Sequence, residues 1–158
     1  EVPANPLLTC PDLAALRQLA DQYGFLLIVD DTLSAIVNEN PLRFSDFCVT
    51  SLTKYFSGYG DVLAGSARLN PASSQAEQLR KALAAEFEEQ LCDADCEVLE
   101  HNYRDLQQRM AAINATTAEL VRRLRQHPNS PKVQTHLQYF EVLQHHQHQI
   151  QNLDQRLH

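Results

Sequence analysis

Positive charge is scarce in this chain. Its 158 residues carry 13 Lys and Arg against 20 Asp and Glu, a formal net charge of -7. A general nucleic-acid binder carries a basic face, so that class is set aside. Long apolar runs are missing as well. None approaches the roughly 20 residues that a helix needs to cross a bilayer. The opening Glu1-Val2-Pro3 has no apolar signal-peptide core. It also lacks an initiator Met, so a processed, trimmed or partial chain is expected. The cysteines, at 10, 48, 92 and 96, form no CxxC pair. Cys92 and Cys96 stand one helical turn apart, which suits neither an easy disulfide nor a closed zinc site without further ligands. All four are read as reduced thiols of an intracellular, cytoplasmic protein, with Cys48 in the core. There is no internal repeat.

What is present is ordinary for a soluble globular protein: 44% hydrophobic and 21% charged residues in a length typical of one domain. Pro11-Asp12 opens a helix to about Tyr23, with Leu13, Leu16, Leu19 and Ala20 at helical spacing and Gly24 as its stop. Phe25 to Val29 is a continuous apolar run, the pattern of a strand buried on both faces. Asp30-Asp31-Thr32 ends it. An irregular stretch, Leu33 to Ser45, leads to a second strand over Asp46 to Ser51, and Val62 to Leu69 reads as a third. Pro71 to Ser74 is a loop, followed by a helix from about Gln75 to Leu91 with Leu79, Leu83 and Phe87 on one side. Cys92 to Asp95 reads as a break. One long helix, Cys96 to Arg125, follows and ends at His127 to Pro131. Lys132 to Gln134 begins a possible strand, and Thr135 to His158 reads as a Gln- and His-rich amphipathic helix or a frayed tail. This order predicts an α/β sheet, in which ligands sit beyond the carboxyl ends of the strands.

Asp30 and Lys54 both fall at such ends. Lys54 leaves the apolar strand inside Ser51-Leu52-Thr53-Lys54-Tyr55-Phe56-Ser57-Gly58. Partial desolvation there favours an amine that acts as a nucleophile or Schiff-base partner. Ser51 and Thr53 share one face of the strand end and can donate to a phosphate. Two of the chain's four glycines, Gly58 and Gly60, let the backbone turn tightly beside a ligand. Taken alone, the bland readings stand beside these: an exposed lysine, a capping aspartate, capping hydroxyls, and Asn5 as a turn residue before Pro6. His145, His146 and His148 match no strong zinc spacing and read as part of a solvated tail, so no metal is expected.

Three segments together carry a resemblance. EVPANPLL at 1–8 is similar to an E-x-P-x-N-P motif, LLIVDDTL at 26–33 to a strand ending in V-D-N-T, and VTSLTKYFSGYGDVLAGS at 49–66 to an S-x-T-K-Y-x-S-G-H-x-D-x-x-G-G lysine motif. They occur in the same order and spacing, with Asn5 to Asp30 at 25 positions and Asp30 to Lys54 at 24. The pattern resembles the Cys/Met-metabolism family of enzymes that use pyridoxal 5'-phosphate (PLP). Within it the fungal cystathionine γ-synthase branch is the most similar, through Asp30-Asp31-Thr32, Ser51-Leu52-Thr53-Lys54 and VLEHNYRDLQQR at 98–109.

The resemblance implies a three-layer αβα fold, part of the PLP-binding large domain of the aminotransferase-like (type I) architecture, over residues 1–126, with a linker and divergent tail over 127–158. The motif resemblance itself ends near Val133. It implies Lys54 as the Schiff-base lysine and later acid/base, Asp30 as partner of the ring nitrogen, and Ser51 with Thr53 on the phosphate. Asn5 would lie near the phenolic oxygen and Thr32 beside the ring. Asp31 stands where Asn is common, and Tyr59 where His is common; neither is given a role. The implied reaction is transsulfuration in methionine biosynthesis: γ-replacement on an activated homoserine ester by cysteine, in a homo-oligomer with no nucleic-acid or membrane partner. The alternatives are γ-elimination from a sulfur amino acid by a lyase, or an inactive truncated homologue, because the segment corresponds only to the middle of a longer family chain.

Overall fold

The computed structural model describes residues 1–126. The expectations placed on His127–Pro131, Lys132–Gln134, Thr135–His158 and the histidines at 145, 146 and 148 lie outside the described residues. The order is α1 (Leu13–Tyr23), β1 (Ile28–Asp30), β2 (Phe47–Ser51), β3 (Gly65–Leu69), α2 (Ala76–Glu86), α3 (Asp93–Tyr103) and α4 (Leu106–Arg125). A short 3-10 turn, Pro41–Arg43, precedes β2, and a single π turn, Leu52–Phe56, follows it.

α1 forms where its sequence signals stand. Asp12 caps it, its Oδ1 accepting from the Ala15 N–H at 2.9 Å, and Gly24 ends it in the left-handed conformation at φ 72°. The apolar side of α1 meets β1 and β2 in a core of Val2, Leu13, Val29 and Cys48, flanked by Leu16, Leu27, Leu42 and Phe44. Asp46 ties these parts together. Its Oδ2 accepts from Arg17 at 2.9 Å and from the Leu27 N–H at 2.8 Å, and its Oδ1 from Ser73 at 2.5 Å. Cys48 is buried, Cys10 half-buried, and all four thiols are free.

Several expectations need correction. The run from Phe25 is a strand only over Ile28–Asp30, and Phe25, Leu26 and Ile28 are exposed. β1 lies at the edge of a three-stranded sheet ordered β1-β2-β3, and α1 packs on one face, so burial on both faces is not realised among the described residues. The sheet is mixed: β1 and β2 are parallel, Asp30 opposite Val49, whereas β3 returns antiparallel with Ser51 opposite Gly65. No helix intervenes between β2 and β3 to carry a right-handed crossover; the chain doubles back through the π turn. α2 stops at Glu86, leaving Phe87 exposed.

The single long helix is in fact two. α3 begins at Asp93, so the residues read as a break supply acidic side chains to its first turn, where they suit the helix dipole. It ends at Tyr103, and α4 starts at Leu106. The bend lets the Tyr103 ring stack on Phe56 at 5.2 Å between centroids. It also lets Leu106 and Met110 bury against Ala35 and Phe56. This second core joins the helices to the segment that carries Lys54.

Candidate functional site

The site grows from the carboxyl ends of β1 and β2. Their parallel register sets Asp30 beside Val49. The backbone continues the pairing for one residue, the Asp31 N–H donating to the Val49 carbonyl at 3.0 Å. Asp30 then folds its carboxylate over the turn: Oδ1 accepts from the Thr32 N–H at 2.9 Å. The Thr32 hydroxyl in turn accepts from the Ser51 N–H at 2.9 Å. Asp30, Thr32 and Ser51 are thus brought together by one chain of hydrogen bonds. Lys54 stands three residues beyond Ser51, in the π turn.

Neighbouring residues alternate in fate. Asp31 has no exposed surface. Its carboxylate receives the Thr50 hydroxyl on one oxygen and the Arg68 guanidinium on the other. Asp30 is half-buried, and no hydrogen bond to its Oδ2 is formed by the described residues. A strand end that points successive side chains to opposite faces produces this division.

The π turn is irregular at the lysine itself. Lys54 has φ -83° and ψ -120°, outside helical geometry. The Ser57 N–H donates to Leu52 at 2.9 Å, and the Gly58 N–H to Lys54 at 2.7 Å. Partial desolvation of Lys54, expected from the strand end, is not supplied by the described residues, because Lys54 is exposed. Thr53 is engaged elsewhere: its hydroxyl accepts from the Ala64 N–H at 2.9 Å and donates to the Ala64 carbonyl at 3.3 Å. The N-terminal segment is anchored beside β1, the Val2 N–H donating to the Asp30 carbonyl at 2.8 Å. Asn5 follows in that segment, its N–H donating to Glu1 at 3.1 Å. No hydrogen bond joins Asn5 to Asp30, Ser51 or Lys54 among the described residues.

Residues with no expected role surround the turn. Asn102 Nδ2 donates to Ser57 Oγ at 2.8 Å and to Asp61 Oδ1 at 3.0 Å. Arg109 donates from Nη1 to the Tyr55 carbonyl and from Nη2 to the Phe56 carbonyl, both at 2.9 Å. Its Nε donates to Asp105 at 2.7 Å, and Asp105 also accepts from the Tyr59 hydroxyl at 2.8 Å. The hydrogen bond from Arg109, then that from Tyr59, holds the Asp105 carboxyl below the usual carboxylate range. The same bond to Asp105 pushes the Tyr59 hydroxyl up. The only sequence signal for Asn102, Asp105 and Arg109 was their place in the segment at 98–109. Among the described residues, no group of three or more His, Cys, Asp or Glu side chains is placed to hold a metal ion. No helix there is long and apolar enough to cross a membrane.

Comparisons with known proteins show the family and the fold. The family profile described as "Cys/Met metabolism PLP-dependent enzyme" matches residues 1–157, past the Val133 limit of the motif resemblance. An alanine racemase of Aspergillus violaceofuscus is 47% identical over 132 residues, 84% of this chain and 22% of that protein. A cystathionine gamma-synthase of Neurospora crassa is 41% identical over 128 residues, 81% of this chain and 21% of that protein. Among solved structures, a methionine gamma lyase of Micromonospora echinospora superposes with a TM-score of 0.60 at 30% identity, covering 82% of this chain and 34% of that one. A cystathionine gamma-lyase of Lactobacillus plantarum gives a TM-score of 0.64 at 26% identity, covering 78% and 32%. The chain spans about a fifth of the length of these curated relatives.

Proposed function

The chain belongs to the Cys/Met metabolism PLP-dependent enzyme family, and from that premise we propose that it carries the lysine half of a PLP site working on amino-acid substrates. The observation that carries the reading is the bonded series Asp30–Thr32–Ser51 at the two parallel strand ends, followed at once by an exposed lysine.

The donor set suits the cofactor. PLP, when bound, supplies an aldehyde that condenses with amines and a ring that withdraws electrons from substrate carbons. Lys54 Nζ would hold the aldehyde carbon covalently, and once displaced it would take the proton from the substrate Cα. Asp30 Oδ2 has no partner among the described residues while Oδ1 is fixed by Thr32, so one carboxylate oxygen is oriented and available for a protonated ring nitrogen. The Ser51 hydroxyl likewise has no partner among the described residues and would donate to the phosphate. Thr53, engaged with both polar groups of Ala64, would act there through the shape of the turn. Thr32 and Asn5 are proposed beside the ring and the phenolic oxygen on the resemblance alone.

The finer proposal is γ-replacement: an activated homoserine ester loses its γ-substituent and cysteine sulfur adds to give cystathionine. This would take place in a cytoplasmic homo-oligomer serving methionine biosynthesis. A γ-lyase reaction is the alternative. The relative named as a racemase adds a third outcome, because all three reactions require a base at the substrate Cα. The test is to load the chain with PLP and supply an O-acyl homoserine with and without cysteine. Cystathionine from wild type, and none from Lys54→Ala, is the expected result. Release of a 2-oxo acid without cystathionine moves the assignment to elimination. A PLP-loaded chain that makes neither product nor racemises alanine contradicts the enzymatic reading and leaves an inactive homologue.

A further inference from the structure

The π turn that bears Lys54 has little of its own to hold it. It is one turn long, its lysine is non-helical, and the carbonyls of Tyr55 and Phe56 point out of its end. Unpaired carbonyls at the end of a helical turn need donors from elsewhere. Both donors come from one side chain, 53 and 54 residues away, on the first turns of α4.

We propose that Arg109 is a positioning residue of the lysine site: its guanidinium fixes the backbone of the π turn and so sets where Lys54 stands and how it reacts. Three features support the role. The fork is used on every nitrogen, Nη1 on Tyr55, Nη2 on Phe56 and on the Asn102 carbonyl at 3.1 Å, and Nε on Asp105. A planar fork holding consecutive carbonyls fixes direction as well as distance, which a single ammonium cannot do. Second, the chain leaves the guanidinium room. A Cβ on Gly58, which sits at φ 83°, would lie 2.2 Å from Arg109 Nη1 and 2.7 Å from its Cζ. Conformation favours glycine there, and a larger residue would have to displace the guanidinium. Third, the rest of the α3–α4 junction braces the same turn. Buried Asn102 holds buried Ser57 together with Asp61. Asp105 fixes the far side of Arg109 and ties down Tyr59, whose ring lies 5.5 Å under the guanidinium. The break between α3 and α4 thus gives the two helices a common purpose: it aims Asn102, Asp105 and Arg109 at one turn.

The consequence for catalysis rests on the cofactor reading above; the effect on Lys54 itself does not. The experiment keeps the two apart. Arg109→Lys and Arg109→Gln are compared with wild type and with Arg123→Ala, an exposed residue of the same helix whose side chain pairs with Glu119. Folding is checked by circular dichroism. Amide hydrogen exchange is read over 52–58, and Lys54 is labelled with trinitrobenzenesulfonate across pH, with surface Lys81 as internal reference. PLP affinity is read alongside. In Arg109→Gln, exchange over 52–58 is expected to quicken about tenfold or more, as loss of charge-assisted hydrogen bonds implies. The Lys54-to-Lys81 labelling ratio and its pH midpoint should shift with it, and PLP affinity should fall by a similar factor. Arg109→Lys should fail to restore any of these, and Arg123→Ala should change none. If Arg109→Gln does not fold, Arg109→Lys, which keeps the charge but loses the fork, decides by the same readouts. A folded Arg109→Gln or Arg109→Lys with wild-type exchange, labelling ratio and pH midpoint overturns the proposal. A wild-type chain that binds no PLP would end the cofactor reading, while the exchange and labelling still decide the role of Arg109.

Discussion

Asp30 and Asp31 are identical in chemistry and adjacent in sequence, yet one stands at a rim and the other is sealed beneath it. The alternation of side chains along a strand end says that they part, but not which turns inward. That depends on Thr50 and Arg68, which reach Asp31 from β2 and β3. Neither pairing can be read from the motif, and Asp31 was given no role because it stands where Asn is common. Removing the buried Asp31 carboxylate leaves the part-exposed Arg68 and the buried Thr50 hydroxyl without it, so Asp31→Ala should cost about 2–4 kcal/mol. Thr50→Val, which removes only a neutral donor, should cost about 1–3 kcal/mol. Urea unfolding of both variants checks the order. The position of Lys54 just past the end of β2 was legible for the opposite reason: it depends on local sequence, an apolar strand that runs out into hydroxyls.

Elements were legible where their ends are written locally. α1 has an aspartate at one end and a glycine at the other, and it forms between them; Asp12→Ala should lower stability by about 1 kcal/mol, read from the shift in the unfolding midpoint. The division of the long helix had no such mark. Its apolar stripe runs on past Tyr103, and the junction is met by a residue 46 positions away, Tyr59 donating to Asp105. Asp46 is another residue that acts across elements. Burial works against its charge, but hydrogen bonds from Ser73, the Leu27 N–H and Arg17 outweigh it and hold its carboxyl below the usual range. A depressed carboxyl stabilises the fold fully above its unfolded value of about 3.9, and that contribution is lost as pH falls through the lower folded value. Stability measured by urea titration should therefore drop on acidification below about pH 4, and Asp46→Asn should flatten that limb while lowering stability at neutral pH.

For the molecule as a whole, the α/β class followed from helix, strand and loop in order, but the direction of β3 did not. Nothing in the pattern from Val62 to Leu69 distinguishes a parallel strand from an antiparallel one; the π turn, unreadable in advance, decides it. The sequence also promised more burial than the described residues provide. Tyr23, Phe25, Leu26, Ile28, Leu63 and Phe87 are all exposed. Exposed apolar surface of this extent binds hydrophobic dyes, so the folded chain should enhance anilinonaphthalene sulfonate fluorescence while melting cooperatively. An enhancement seen only after unfolding would contradict this surface.

The central claim is that Lys54 anchors PLP at the joined ends of β1 and β2. The most direct measurement is the visible spectrum of the purified chain mixed with PLP, before and after borohydride, in wild type and Lys54→Ala. The account predicts a band that borohydride removes in wild type, that leaves the pyridoxyl group on Lys54, and that the variant lacks. A folded wild-type chain with no such band, or a band equally strong in Lys54→Ala, would contradict it.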